Sequence, residues 1–277
     1  MCPHPGLILC TLLPLLGTLP TIGSPRFLSK LPIPNIVGYT SQDVAAGKFA
    51  MVGVQFEGVN AQPMTIGELV KGDFLAVPNN DDAFLSTANQ IQHWTGSGYD
   101  LYYFLEDAWY DDGSEDGAYK EGWADVYGEL TADTLAPGDA AWFKATTGAC
   151  TITVAGQVYS GETEVTCVNG KFTMVANATP VPFCLNDSEK IEFENLVAVA
   201  NNNDEFLSTA AQVQEWTGSG YNLYYYISDA WYDDGSEDGA YKEGWADVYG
   251  EYTAELIPVG RGFWVKANTG TFKITFK

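Results

Sequence analysis

Short runs rich in β-branched and aromatic residues recur along the chain, and Gly-containing turns separate them. Phe49–Phe56 (FAMVGVQF), Gln90–Trp94, Tyr99–Leu105, Ala141–Ala145 and Cys150–Val154 read as strands. Gly262–Ala267 and Phe272–Phe276 repeat the last two. The TGSG stretch at 95–98 suits a tight connection between two of these strands. Helical periodicity is sparse. Thr65 and Glu68 have capping-box spacing and open a turn or two of helix through Val70, and Asn186 begins a similar turn in the second half. The pattern predicts a mainly β, antiparallel protein with at most short helices, and it fits a sandwich and a small barrel equally.

The pattern also repeats. Residues 73–148 match 195–270 without a gap at 52 of 76 positions, an offset of 122. Within that stretch, Asp107–Glu129 and Asp229–Glu251 are the same 23 residues. Upstream, GKFAMV at 47–52 answers GKFTMV at 170–175, one residue out of register. A unit this long is an independent domain rather than a solenoid repeat, so the reading is two homologous modules at 31–154 and 155–277.

Residues 1–30 differ from both modules. Leu7–Leu19 (LILCTLLPLLGTL) has the length of a signal-peptide core and falls short of the roughly 20 apolar residues that span a bilayer. Secretion to the extracellular space or cell surface is the expectation. Beyond the leader, Cys150, Cys167 and Cys184 remain, an odd number. A Cys150–Cys167 disulfide across a strand pair turning near Gly161 and three buried free thiols both fit; the spacing matches no zinc site.

Charge narrows the functional classes. Thirteen basic and 36 acidic side chains leave a formal net charge of −23, which excludes nucleic acid as a partner because phosphate backbones need clustered Lys and Arg. Two windows, Glu106–Glu129 and Ser228–Glu251, hold nine and eight of the acids. In each, Asp112, Ser114 and Asp116, or Asp234, Ser236 and Asp238, stand at alternate positions before a glycine, as the first half of a calcium loop requires. The position where such a loop places a bidentate Glu is Trp123 or Trp245, so another carboxylate such as Glu121 or Asp125 has to complete the shell. A solvated acidic hairpin loop explains the same residues.

Aromatic residues interleave with these acids. Trp109, Tyr110 and Trp123, with Trp231, Tyr232 and Trp245, suit either a platform for stacking sugar rings or core positions on strands. No catalytic residue is assigned. His93 is the only histidine beyond the leader and its counterpart is Glu215, so no histidine-based nucleophile system is common to both modules. Carboxylate pairs of the glycosidase kind are permitted by abundance alone.

Three motifs carry a family resemblance: a strand ending in Trp (QIQHW, 90–94), a Tyr-rich strand (GYDLYY, 98–103), and a closing LAPGDAAWFK at 135–144. The second copy closes as LIPVGRGFWVK at 256–266, and IVGY at 36–39 follows the leader. Together they resemble uncharacterised secreted bacterial surface proteins built of β modules. The resemblance implies an extracytoplasmic β module of unassigned activity and carries over no catalytic residue. The expected function is a non-catalytic tandem protein in adhesion or surface structure, calcium-stabilised if the acidic loops bind metal, with glycans or surface proteins as partners. The alternative is a pair of carbohydrate-binding modules, and a polysaccharide-active enzyme stands behind both.

Overall fold

A computed structural model of the chain describes residues 37–58, 62–80, 82–159, 161–202 and 204–277. The leader lies outside them. In the first half the elements run β1 (Val37–Val44), β2 (Phe49–Gly53), β3 (Phe56–Glu57), β4 (Met64–Thr65), α1 (Ile66–Leu69), β5 (Val70–Gly72) and α2 (Phe84–Thr87). They continue through β6 (Gln90–Trp94), β7 (Tyr99–Tyr110), β8 (Ala118–Ala124), β9 (Thr134–Leu135), β10 (Ala140–Lys144) and β11 (Cys150–Val158). The second half holds β12 (Thr163–Cys167), β13 (Phe172–Ala176), β14 (Phe183–Cys184), β15 (Ile191–Glu194), α3 (Phe206–Thr209) and β16 (Gln212–Trp216). β17 (Tyr221–Tyr232), β18 (Ala240–Ala246), β19 (Leu256–Ile257), β20 (Gly262–Lys266) and β21 (Phe272–Phe276) complete it.

The protein is mainly β, and every strand ladder among the described residues is antiparallel. Each half is a sandwich. A five-stranded sheet, ordered β2-β10-β6-β7-β8 or β13-β20-β16-β17-β18, faces a smaller one built on β11 or β21. Alternation along the strands explains the layers: Val52, Ile91, Phe143, Ile152 and Val154 point into one core, and Val175, Val213, Phe263, Val265 and Ile274 point into its twin.

The capping box forms as the spacing requires. Thr65 accepts from the Glu68 amide, and the Glu68 carboxylate accepts from the Thr65 amide, so α1 starts where predicted. Asn186 starts no helix; α2 and α3 instead form over the FLST segments in both copies. β11 runs on to Val158, past residue 154, because Gln157 and Val158 pair with β3 and Val37–Tyr39 pair with 155–157.

The pairing of β11 with β12 that a Cys150–Cys167 disulfide needs does not occur. β11 joins β1 and β12 joins β21, so Cys150 and Cys167 lie in separate sheets as buried free thiols. Burial pushes their pKa values to about 11 and about 12, with Asp73 adding to the rise at Cys150. Cys184, buried on β14, is disulfide-bonded.

The outer faces of the two large sheets pack against each other. Met51, Ala140, Trp142, Met174, Ala176 and Trp264 form a third apolar cluster there, flanked by Trp94 and Trp216. Its contacts come in reciprocal pairs. Trp94 packs edge-on to Trp264 at 5.6 Å, and Trp216 packs on Trp142 at 5.5 Å. The Trp94 indole donates to the Phe172 carbonyl at 3.0 Å, and the Trp216 indole donates to that of Phe49 at 3.2 Å. Gly53 N–H donates to Gly260 at 2.9 Å, as Ala176 N–H does to Gly138 at 2.8 Å. Reciprocity of this kind, where i meets the copy of j and j meets the copy of i, defines an isologous interface. The two modules therefore form a pseudo-twofold pair within one chain. Small residues sit on the axis for a steric reason: a Cβ on Gly53 would lie 2.7 Å from the Ala176 Cβ, and one on Gly262 would lie 2.6 Å from that of Ala140.

Candidate functional sites

The acidic segment is mostly strand. β7 and β8 carry Asp107 to Tyr110 and Ala118 to Ala124, leaving only residues 111–117 as the connecting loop, and β17 and β18 repeat this. Asp112, Ser114 and Asp116 are exposed, as are Asp234, Ser236 and Asp238. The carboxylates bond the loop's own backbone. Asp111 accepts from Gly113 N–H at 2.8 Å and Asp112 from Ser114 N–H at 2.9 Å, with the same two bonds at Asp233 and Asp234. Hydrogen bonds from the Ser114 and Ser236 side chains, and then from their amides, hold the Asp112 and Asp234 carboxyls below the usual carboxylate range. They are self-closing turns of the kind Asp forms two residues ahead of an N–H. The acids offered to complete a calcium shell are dispersed: Asp125 accepts from Tyr127 and Glu129, and Glu121 is exposed on β8. Among the described residues no three His, Cys, Asp or Glu side chains converge on one point.

The aromatic residues divide by burial. Trp123 and Trp245 are 2% and 0% exposed, so they are core residues and cannot offer a face to a sugar. Trp123 packs at 5.3 Å from Phe104 and 5.5 Å from Phe74. Trp109 and Trp231 are half-buried and fasten the acidic loop. Each donates its indole N–H to the carbonyl of Asp116 or Asp238 at 3.3 Å, and each ring lies where a Cβ on Gly117 or Gly239 would collide with it. Tyr110 and Tyr232 lie under Lys120 and Lys242, 4.6 and 4.2 Å from ring centre to ammonium. Of the six, Trp123 and Trp245 therefore take the core alternative, and the other four are half-buried at the acidic loop.

Two other groups of aromatics are presented to solvent. Tyr119 and Tyr241 on β8 and β18 are 65% and 67% exposed, and Tyr127 and Tyr249 are both 82% exposed. The second group lies on the flank of the module seam. Trp94, Tyr99, Phe172, Gln214 and Trp264 line a cleft of about 250 Å³ there. Tyr99 is raised in pKa by burial of its hydroxyl, and so is its counterpart Tyr221. Sequence reading placed Trp94 at a hairpin and Trp142 and Trp264 in a closing motif. The signal for the cleft was the outward period of β6, β10, β16 and β20, where Gln and Trp fall on the face opposite the core.

A further hollow of about 610 Å³ opens in the first module among Glu68, Lys71, Phe74, Phe104 and Lys120. In the second module Asn186, which bonds the Trp245 and Thr253 carbonyls at 2.9 Å, belongs to the corresponding stretch. No helix among the described residues is long and apolar enough to cross a membrane. No protein-family model, curated protein or solved structure matches the chain.

Proposed function

We propose that the chain is a secreted or surface-attached, non-catalytic protein that displays two copies of one binding face in adhesion or surface structure. One observation carries this reading. The identical 23-residue segment keeps its solvent-facing residues in both copies, including Tyr119 and Tyr127 with Tyr241 and Tyr249, while packed neighbours have changed. Leu105 is answered by Ile227, Phe104 by Tyr226 and Leu130 by Tyr252. Packing accounts for the segment's buried residues, Ala108, Trp123 and Ala124 with Ala230, Trp245 and Ala246, which are also unchanged. It does not constrain tyrosines that stand in solvent, so exposed rings kept alike beside altered packed neighbours point to recognition. The leader and the resemblance to secreted surface proteins support the location.

β8 and β18 end the two large sheets, away from the strands on the pseudo-twofold axis, so the paired modules hold both faces in a fixed relation. Two linked faces gain avidity on a multivalent surface, on the order of 10²-fold or more over one. The test is binding of the full chain to bacterial cell walls and to host-cell surfaces, comparing Tyr127→Ser alone with Tyr127→Ser plus Tyr249→Ser. The single variant should weaken retention at least tenfold, and the pair should abolish it. Equal retention by all three proteins sinks the proposal.

A further inference from the structure

We propose that the seam between the modules is a pair of binding clefts for neutral saccharides, one on each flank of the pseudo-twofold axis. This rests on reading the chain as a binding protein, but it places a ligand at a site distinct from the tyrosine faces. The cleft is built rather than incidental. Trp264 forms its back, with Phe172 at 6.0 Å and Trp94 at 5.6 Å, both set edge-on; Tyr99 follows at 5.0 Å from Trp94. The other flank repeats the arrangement: Trp142 with Phe49 at 6.1 Å and Trp216 at 5.5 Å, then Tyr221 at 5.1 Å from Trp216. Each cleft draws its aromatics from both modules, so neither exists without the seam.

Packing does not account for all of these rings. Trp142 and Trp264 are buried, but Phe49 and Phe172 are each 37% exposed, Tyr99 is 40% exposed and Tyr221 is 41% exposed. The Lys144 and Lys266 ammoniums lie 5.7 and 5.5 Å from the Phe49 and Phe172 ring centres, and the rest of each ring, with the open faces of Tyr99 and Tyr221, is apolar surface that a ligand would gain by covering. The polar groups define the occupant. Gln214 lines the cleft and Gln92 is its counterpart; each donates its amide to the side-chain oxygen of the glutamine two residues before it, Gln212 at 2.7 Å and Gln90 at 3.1 Å, which orients its own carbonyl oxygen. An aromatic slot with a few oriented polar groups suits a ring that is apolar on its faces and hydroxylated at its edge. The net charge of −23 disfavours an anionic ligand. At about 250 Å³ the cleft takes a short stretch of sugar rather than a large ligand.

The test is titration of the full chain with β-1,4-glucan, β-1,3-glucan, xylan and chitin hexasaccharides, read by tryptophan fluorescence and calorimetry. The proposal expects at least one to bind. Tyr99→Ala with Tyr221→Ala should weaken it tenfold or more. Gln92→Leu with Gln214→Leu, which keeps the shape but removes the amides, should do the same while the thermal midpoint shows both variants folded. Saccharide binding that survives both variants overturns the seam site and leaves glycan recognition elsewhere on the surface. Binding of laurate but of no saccharide overturns it in favour of an apolar ligand, and silence from all probes overturns it outright. The retention assay with Tyr127→Ser and Tyr249→Ser is independent of these outcomes, so failure at the seam and failure of the adhesive reading are separable.

Discussion

Trp109 and Trp123 belong to the same aromatic-acidic stretch, yet their surroundings give them unrelated roles. Trp123 is 2% exposed and ringed by Phe74, Phe104 and Phe143, so truncation leaves a cavity that those rings cannot fill. Trp123→Ala should lower stability by about 3–5 kcal/mol, measured as the shift in urea midpoint. Trp109 lies over Gly117, a residue at φ +67° that only glycine takes cheaply, and its indole holds the loop carbonyl. At this scale the sequence showed which residues were large and apolar. It did not show which faces of those rings met water, because β7 and β8 twist and carry a register shift between Leu105 and Ala108.

Capping and turn chemistry belong to the element. Thr65→Ala removes the cap of α1 and should cost about 1 kcal/mol by chemical denaturation. The pH dependence follows from the partner. Hydrogen bonds from Thr65 hold the Glu68 carboxyl below its ordinary value, so the stabilisation is complete above the unfolded-state value and fades as pH falls through the folded-state value. The Thr65→Ala variant should therefore lose part of the wild-type acid sensitivity between about pH 5 and pH 3. In the acidic loops, Asp112 and Asp234 close turns on their own backbone. Asp112→Ala with Asp234→Ala should lower the thermal midpoint equally in EDTA and in calcium. A drop confined to calcium would instead make these residues ion ligands. Local rules served best here, since a capping box or an Asp turn needs only residues two or three apart. The β7–β8 pairing within the acidic stretch was hidden because Asp, Gly and Glu lower strand propensity while the tertiary context supplies the ladder.

The whole molecule is governed by its seam. Gly53→Val would drive a side chain into the Ala176 Cβ and the Arg261 carbonyl, and overpacking of this kind costs about 1–3 kcal/mol. Wild-type protein should melt in one transition. Gly53→Val should split it into two and move tryptophan emission to longer wavelength as Trp94, Trp142, Trp216 and Trp264 gain water. A single unshifted transition would show that the modules do not depend on the seam.

By itself the sequence determined the β class, the duplication, the one helix cap and the excess of negative charge, because each is a matter of local spacing or of counting. The tertiary structure alone decided that the sheets form sandwiches, that Cys150 and Cys167 lie in separate cores, and that Trp123 is inside. It alone decided that the two copies face each other across glycines and tryptophans. Those outcomes depend on which residues meet across the fold, from the Phe74 and Phe143 rings that enclose Trp123 to seam partners such as Trp216 and Phe49 more than a hundred positions apart. A period of two along a strand names the outward face without saying what covers it.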